Sequence, residues 1–282
     1  MLLTDIFLMF SPNIYTAHLL FATSTNGVCN LHKLGTSSGE KITLHDKSAI
    51  KILKTSNVKQ FKLHCNVSVK LFVLTQRHGS SMDSYIALPK RYIGTDYLIP
   101  SYTQSTTTGP GTYLGIVSSK PKSQVEIFGK DKRSKLYRKI TMDKEKSWQD
   151  YNNDRIDISG TYVKATTPVA VFSNIVCVQH DNSCYPFSDM VIPMRDYSKV
   201  FLIPHIENTE KWTIRLYAKL TCNVKIFDNN RRQLSTYTVK SDKKFIEMHF
   251  KSNVISRVIM CINGTAVWTQ NWKERILHGT CS

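Results

Sequence analysis

The sequence predicts an all-β fold of three tandem antiparallel β-sandwich modules, each of about 100 residues. Three observations carry that prediction. Short segments rich in Val, Ile, Thr, Tyr and Phe alternate or run apolar between polar breaks, as at 17–22, 61–74, 97–100, 113–117, 125–128, 213–217 and 224–227. One strand pair is written three times at a period of about 100 residues: Val69-Lys70-Leu71-Phe72, Val169-Ala170-Val171-Phe172 and Ala266-Val267-Trp268, preceded by Asn57-Val58, Asp157-Ile158 and Asn253-Val254. Longer matches extend the repeat. Ala87-Leu88-Pro89-Lys90-Arg91 pairs with Val191-Ile192-Pro193-Met194-Arg195, Tyr97-Leu98-Ile99-Pro100 with Phe201-Leu202-Ile203-Pro204, and Val125-Glu126-Ile127-Phe128 with Val224-Lys225-Ile226-Phe227.

The first module is expected over residues 1–78, N-terminally truncated, with 3–10 as its opening strand. That run looks like the start of a signal sequence, but Asp5 interrupts it and no basic residue precedes it. Ser11-Pro12-Asn13 then ends it without a small-residue cleavage site. An export signal is therefore expected to be missing from the chain as it stands. The second module is expected over 79–184, entered through Gly79-Ser80-Ser81, and the third over 185–282, entered through the stiffer Tyr185-Pro186-Phe187. Pro89, Pro100, Pro168, Pro193 and Pro204 fall at strand ends, where a missing N–H costs no ladder bond. Phe72, Phe172 and Trp268 align and are expected in the cores. Helical periodicity is absent save for one candidate turn at 272–277, and no apolar run is long enough to span a bilayer.

The net charge of +17 is spread over all three modules. It favours anionic partners such as sulfated glycans, sialylated mucins or nucleic acid, though solvated lysines that keep a β-rich chain soluble explain it equally well. Seven cysteines divide into three intramodule pairs and a remainder: Cys29 with Cys65, Cys177 with Cys184, Cys222 with Cys261, and Cys281 free or intermolecular. Asn66-Val67-Ser68 and Asn263-Gly264-Thr265 are N-glycosylation sequons just after the equivalent Cys65 and Cys261. Disulfides and sequons together point to an extracellular location.

The middle copy carries a family pattern. Asp157-Ile158-Ser159-Gly160-Thr161, then Thr167-Pro168-Val169-Ala170-Val171-Phe172-Ser173, then Cys177 and Cys184, resembles the N-terminal domain family of the IgG Fc-binding protein. The likeness runs from about Phe7 to Phe227 and includes Pro193 and 201–204. Thr167 stands where that family has Lys, Asn174 where it has Gly, and Tyr185-Pro186 where it often has Asp-His. The resemblance implies a secreted or cell-surface binding module. It supplies no binding-residue motif.

Candidate chemistry is sparse. Gly35-Thr36-Ser37-Ser38-Gly39 matches the nucleophile-elbow pattern, but 41–44 reads as a strand where an elbow needs a helix. Cys177, His180 and Cys184 offer three zinc ligands, the fourth having to come from Asp181 or elsewhere. The pairing of the other cysteines by module, together with the family resemblance, favours a disulfide there over a metal. Asp150, Asn152 and Asp154 begin like a calcium loop, but Arg155 and Thr161 replace the required Gly and carboxylate. Lys130, Lys132, Arg133, Lys135, Arg138 and Lys139 after Phe128, with Arg231 and Arg232 at the equivalent place after Phe227, form a candidate stripe for anionic ligands. Trp148 and Trp272 are the candidate surface aromatics, with Trp212 half-buried. Neither surface aromatic has a carboxylate pair of the glycosidase kind nearby.

The expected function is non-enzymatic: extracellular adhesion to a protein or mucin-type glycoprotein through a multivalent surface, with linked modules raising avidity and no cofactor. The alternative is a lectin-like or heparin-type binder using the basic hairpins. A serine esterase using Ser37 is a third reading. No reader motif supports nucleic-acid binding.

Overall fold

The computed structural model describes residues 3–11, 14–37, 39–45, 48–55, 59–76, 82–102, 111–129, 136–152, 157–180, 183–203, 211–218, 220–228, 230–240, 245–251, 257–262, 266–272 and 275–279. The side chains at 136, 151–152, 176–180, 183–186, 203, 211–212 and from 251 onward are not part of that description. The chain is all-β, its sheets are antiparallel, and no α-helix occurs among the described residues.

The first eight strands are β1 (Thr4–Met9), β2 (Thr16–Thr23), β3 (Gly27–Lys33), β4 (Gly39–Leu44), β5 (Ser48–Lys54), β6 (Gln60–Cys65), β7 (Val69–Gln76) and β8 (Met82–Ala87). They form two four-stranded sheets, β1–β6–β3–β4 and β5–β2–β7–β8. Strict alternation puts Ile6, Leu8, Leu31 and Leu63 of one sheet and Leu19, Phe21, Leu71 and Val73 of the other into one core. The long apolar segment at 61–74 is two strands, broken at Asn66-Val67-Ser68. β8 extends this sheet beyond residue 78, and the join follows at Pro89, which precedes a 3₁₀ turn at Lys90–Tyr92.

The middle strands are β9 (Gly94–Leu98), β10 (Thr112–Ser118), β11 (Ser123–Phe128), β12 (Leu136–Met142), β13 (Ser147–Asn152), β14 (Tyr162–His180) and β15 (Ser183–Met190). β14 belongs to two layers. Residues 162–165 lie between β9 and β11, and 169–175 pair with β10, with β15 alongside from Phe172 onward. Pro168 was expected to start a strand. It lies inside β14 instead, at the crossing between layers, where the ladder partners change and a missing N–H costs least. Asp157 and Ile158 precede β14 as an irregular segment and do not begin a strand. The Cys177–Cys184 stretch is the end of a long hairpin, with Gln179 opposite Cys184 and His180 opposite Ser183.

The third group follows a 3₁₀ turn at Met194–Asp196, again preceded by proline, Pro193. It comprises β16 (Val200–Ile203), β17 (Lys211–Ala218), β18 (Cys222–Phe227), β19 (Gln233–Val239), β20 (Phe245–Lys251), β21 (Arg257–Ile262), β22 (Ala266–Trp272) and β23 (Arg275–Gly279). Its sheets are β16–β21–β18–β19 and β20–β17–β22–β23. Of the expected helical turn at 272–277, Trp272 lies in β22 and 275–277 in β23, paired as antiparallel strands, and 273–274 lie outside the described residues. The strand order repeats that of the first group, and the middle group follows it with β14 serving as two consecutive strands. Even a local irregularity recurs, for the ladder slips between Ile127 and Phe128 and again between Ile226 and Phe227.

Two seams join the groups. The outer face of the β10–β14–β15 sheet, with Tyr113, Val117, Ala170, Phe172 and Met190, packs into the same cluster as Phe7 and Met9 of β1. Its inner face, with Leu114, Ile116, Val169 and Val171, forms the middle group's own core. At the second seam Leu98 and Tyr162 meet Tyr217 and Phe245, with Met194 and Tyr197 of the connection between them. Two of the aligned aromatics, Phe72 and Phe172, are therefore not core residues of their own groups. Phe172 is buried in a seam, whereas Phe72 is 43% exposed, with no sheet over it among the described residues. In register Trp268 stands opposite the core residue Leu216. Trp148, expected at the surface, packs partly buried against the middle core.

Candidate functional site

The signature Asp157-Ile158-Ser159-Gly160-Thr161 sits at the second seam. Gly160 adopts φ +78°, a left-handed conformation that glycine takes without a Cβ penalty. The Gly160 N–H donates to Ile99 O at 2.8 Å and the Thr161 N–H to Ile158 O at 3.0 Å, which closes the turn against the end of β9. Asp157 Oδ1 accepts the Ser159 N–H at 2.9 Å. This leaves Asp157 Oδ2 and Ser159 Oγ facing the third group.

Arg215 of β17 fills that position. Its Nη1 donates to Asp157 Oδ2 at 2.8 Å, Ser159 Oγ at 2.9 Å and Ser101 O at 2.9 Å. Its Nε donates to Glu247 Oε2 at 2.7 Å. The guanidinium carbon lies 4.9 Å from the Tyr102 ring centroid and 5.2 Å from that of Phe245. Burial alone would lower the Arg215 pKa, but Asp157, the Tyr217 hydroxyl and Glu247 together hold it above its ordinary value. With Nε and Nη1 committed to two carboxylates, a hydroxyl and a carbonyl, Arg215 acts as a clasp between groups. Sequence reading missed it. Between Ile214 and Leu216 a charged residue reads as the solvent face of an alternating strand.

A second polar cluster borders the first seam. The Ser188 N–H donates to Asp83 Oδ2 at 2.5 Å, joining β15 to β8. Burial pushes the Asp83 carboxyl up to about 8, the Ser188 and Ser84 N–H groups partly oppose this, and neighbouring Asp189 adds to the rise. Burial likewise pushes Asp189 up to about 7. Each residue keeps part of its surface exposed.

Four of the expected anion-binding residues are described, and they lie in two separate places. Arg138 and Lys139 lie exposed on β12, with Lys139 Nζ 3.1 Å from Glu126 Oε1. Arg231 and Arg232 are exposed in the β18–β19 turn, where Asp228 Oδ1 accepts the Asn230 and Arg232 N–H groups. The two sites hold equivalent edges of separate sheets, and no contact joins them among the described residues. Lys130, Lys132, Arg133 and Lys135 lie outside the described residues.

Cys29 and Cys65 stand opposite each other in the β3–β6 register and form a disulfide. Closing a loop of that length restricts the unfolded chain by about 3–4 kcal/mol. Cys222 is also disulfide-bonded; the side chains of Cys261, Cys177, Cys184 and His180, and all of Cys281, lie outside the description. No group of three metal-ligating side chains occurs among the described residues. Asn66 follows β6, and its Oδ1 accepts the Val28 N–H at 2.8 Å; Asn263 and Asp154 are not described. After β3 the chain turns at Leu34 and Gly35, the latter at φ +80°, and β4 follows from Gly39, so a strand stands where a Ser37 nucleophile would need a helix; Ser38 lies outside the described residues. Asp150 is paired within β13 against Leu114, which removes it from a calcium loop.

Distant likenesses appear among solved structures. A Clostridium perfringens ZmpB structure of the M60 catalytic domain with CBM51-1 and CBM51-2 is 8% identical, covering 98% of this chain and 33% of that one, with a TM-score of 0.20. Dimeric latent PorU from Porphyromonas gingivalis is 10% identical, covering 97% and 30%, with a TM-score of 0.15. The chain thus spans about a third of each, and likeness at this level carries no argument. Among curated proteins none matches. A family model does: that of the IgGFc binding protein matches residues 83–268, which include the β8–β15 contacts, the signature turn and the Arg215 clasp. The chain belongs to the IgGFc binding protein family.

Proposed function

We propose that the chain is a non-enzymatic extracellular binding protein, built of three tandem β-sandwich modules that present a multivalent surface to a protein or mucin-type glycoprotein. The family match over residues 83–268 carries the binding reading. The thrice-repeated strand order supports the modular one, with joins at Pro89 and Pro193. The Cys29–Cys65 disulfide favours an oxidising compartment. Stacked modules hold their surfaces in fixed relation, so weak contacts on neighbouring modules add as avidity.

A second reading, an anionic-glycan binder, rests on the equivalent placement of Arg138 and Lys139 on β12 and of Arg231 and Arg232 before β19. Binding of the purified chain to immobilised mucin, IgG Fc and heparin separates the two. Retention on mucin or Fc that survives Arg133→Ser, Arg138→Ser, Arg231→Ser and Arg232→Ser together supports the protein-binding reading. Heparin retention lost in that variant supports the glycan reading, and no retention on any surface overturns both.

A further inference from the structure

The outer face of the sheet β5–β2–β7–β8 carries an apolar row. Ile50, Leu20, Phe72 and Ile86 stand side by side across all four strands, with Ile52 and Leu74 in the next row. Ile50 is 71% exposed, Ile86 54% and Phe72 43%. A contiguous apolar row on a cationic surface marks an interaction face.

The two seams show what fits such a face. In the middle group the corresponding row is Gln149, Gly115, Phe172 and Met190; Gln149 at the edge is exposed, and the other three lie under Phe7 and Met9 of the preceding sheet. In the third group the row holds Arg215, bound to Ser101, Asp157 and Ser159 of the middle group, and Tyr217 on the same face packs with Leu98 and Tyr162 of the preceding sheet. Both times the cover is the first sheet of the group before. Among the described residues one such sheet has no cover of its own, β16–β21–β18–β19. There Val200 is 42% and Leu202 56% exposed. Leu202 is opposite Val258 and Val258 opposite Phe227, which repeats the Leu98–Tyr162–Phe128 row of the middle group.

We infer that two copies of this chain associate head to tail, the β16–β21–β18–β19 face of one copy seating on the β5–β2–β7–β8 face of the next as the groups seat within one chain. The contact is heterologous, so each copy keeps one open end and association continues into linear chains. The net charge of +17 on each copy opposes approach, and added salt therefore strengthens the contact.

Sedimentation velocity on the full chain, at rising concentration in about 0.15 M salt, tests this. Two end-blocked variants accompany it, Phe72→Glu with Ile86→Glu and Val200→Glu with Leu202→Glu. All four positions are exposed, and an unchanged melting curve confirms that each variant folds. The wild type is expected to grow in mass through the micromolar range, each variant alone to stay monomeric, and an equal mixture of the two to form pairs and nothing larger. A monomeric wild type overturns the inference, as it would if this face serves another protein. A variant that dimerises alone, or a mixture that stays monomeric, also overturns it, because only a head-to-tail contact leaves complementary ends.

Discussion

The two seams solve one packing problem with opposite chemistry. At the first, Met9 of β1 rests over Gly115, with its Sδ only 2.1 Å from where a Cβ at that glycine would lie. Phe7, Tyr113 and Phe172 enclose it, so the seam is a dry extension of the first core. At the second, the same strand position holds Arg215, and the apolar contact narrows to Leu98, Tyr162, Tyr217 and Phe245 around an ion-pair network. A smooth apolar seam gains from every buried methylene. A buried arginine repays its desolvation only when every donor is met. The difference teaches that the family's signature turn is the acceptor set the second seam requires.

Breaking the second seam at its centre is expected to have the largest effect. Arg215→Leu strands Asp157 and Glu247 without their shared cation and should cost about 3–5 kcal/mol of unfolding free energy, read by urea titration. Met9→Ala at the first seam leaves a cavity under Gly115 and should cost about 2–4 kcal/mol. Gly115→Leu overfills the same place. Because Met9 can swing aside, it should cost less, about 1–3 kcal/mol by the same titration.

The comparison sharpens with pH. Asp83 and Asp189 have folded pKa values raised to about 8 and about 7, above their ordinary 3.8. The folded chain therefore holds more protons than the unfolded one between those limits, and their contribution to stability falls as pH rises from about 4 to 8. Melting temperatures across that range should drop less with rising pH for Asp83→Asn than for the wild type, and the variant should be the more stable at pH 8 and above. The smallest effect is expected at the rim. Lys62 Nζ and Glu145 Oε1 lie 2.8 Å apart across the first seam, both partly exposed, so Lys62→Ala should cost under about 1 kcal/mol and less still at high salt.

Much of the fold was legible because it depends on local pattern. Alternating or continuously apolar segments marked β2, β10, β11, β17 and β18, and the Ala87–Arg91 and Val191–Arg195 match marked the repeat. The joins, expected near 79 and 185, follow instead at the proline-led turns after Pro89 and Pro193, where proline constrains the backbone directly. The crossing of β14 between layers was not legible, because Val169–Ser173 is apolar on both faces and alternation is lost where both faces are buried. For the same reason the period correctly related Phe72 to Phe172 but not their surroundings. Whether an outward aromatic is covered depends on a sheet far away in sequence. Arg215 was hidden for the converse reason, since a strand position facing a neighbouring group carries the same alternation as one facing water.

The account stands most directly on the Arg215–Asp157 pair, for if the signature turn exists to receive the third group, the two residues must act as a unit. A double-mutant cycle with Arg215→Leu, Asp157→Asn and the combination, followed by urea unfolding, measures that coupling. The account predicts an interaction energy of about 1–3 kcal/mol, the double variant being little worse than Arg215→Leu alone. Strictly additive losses would show that the two residues do not depend on each other and would contradict it.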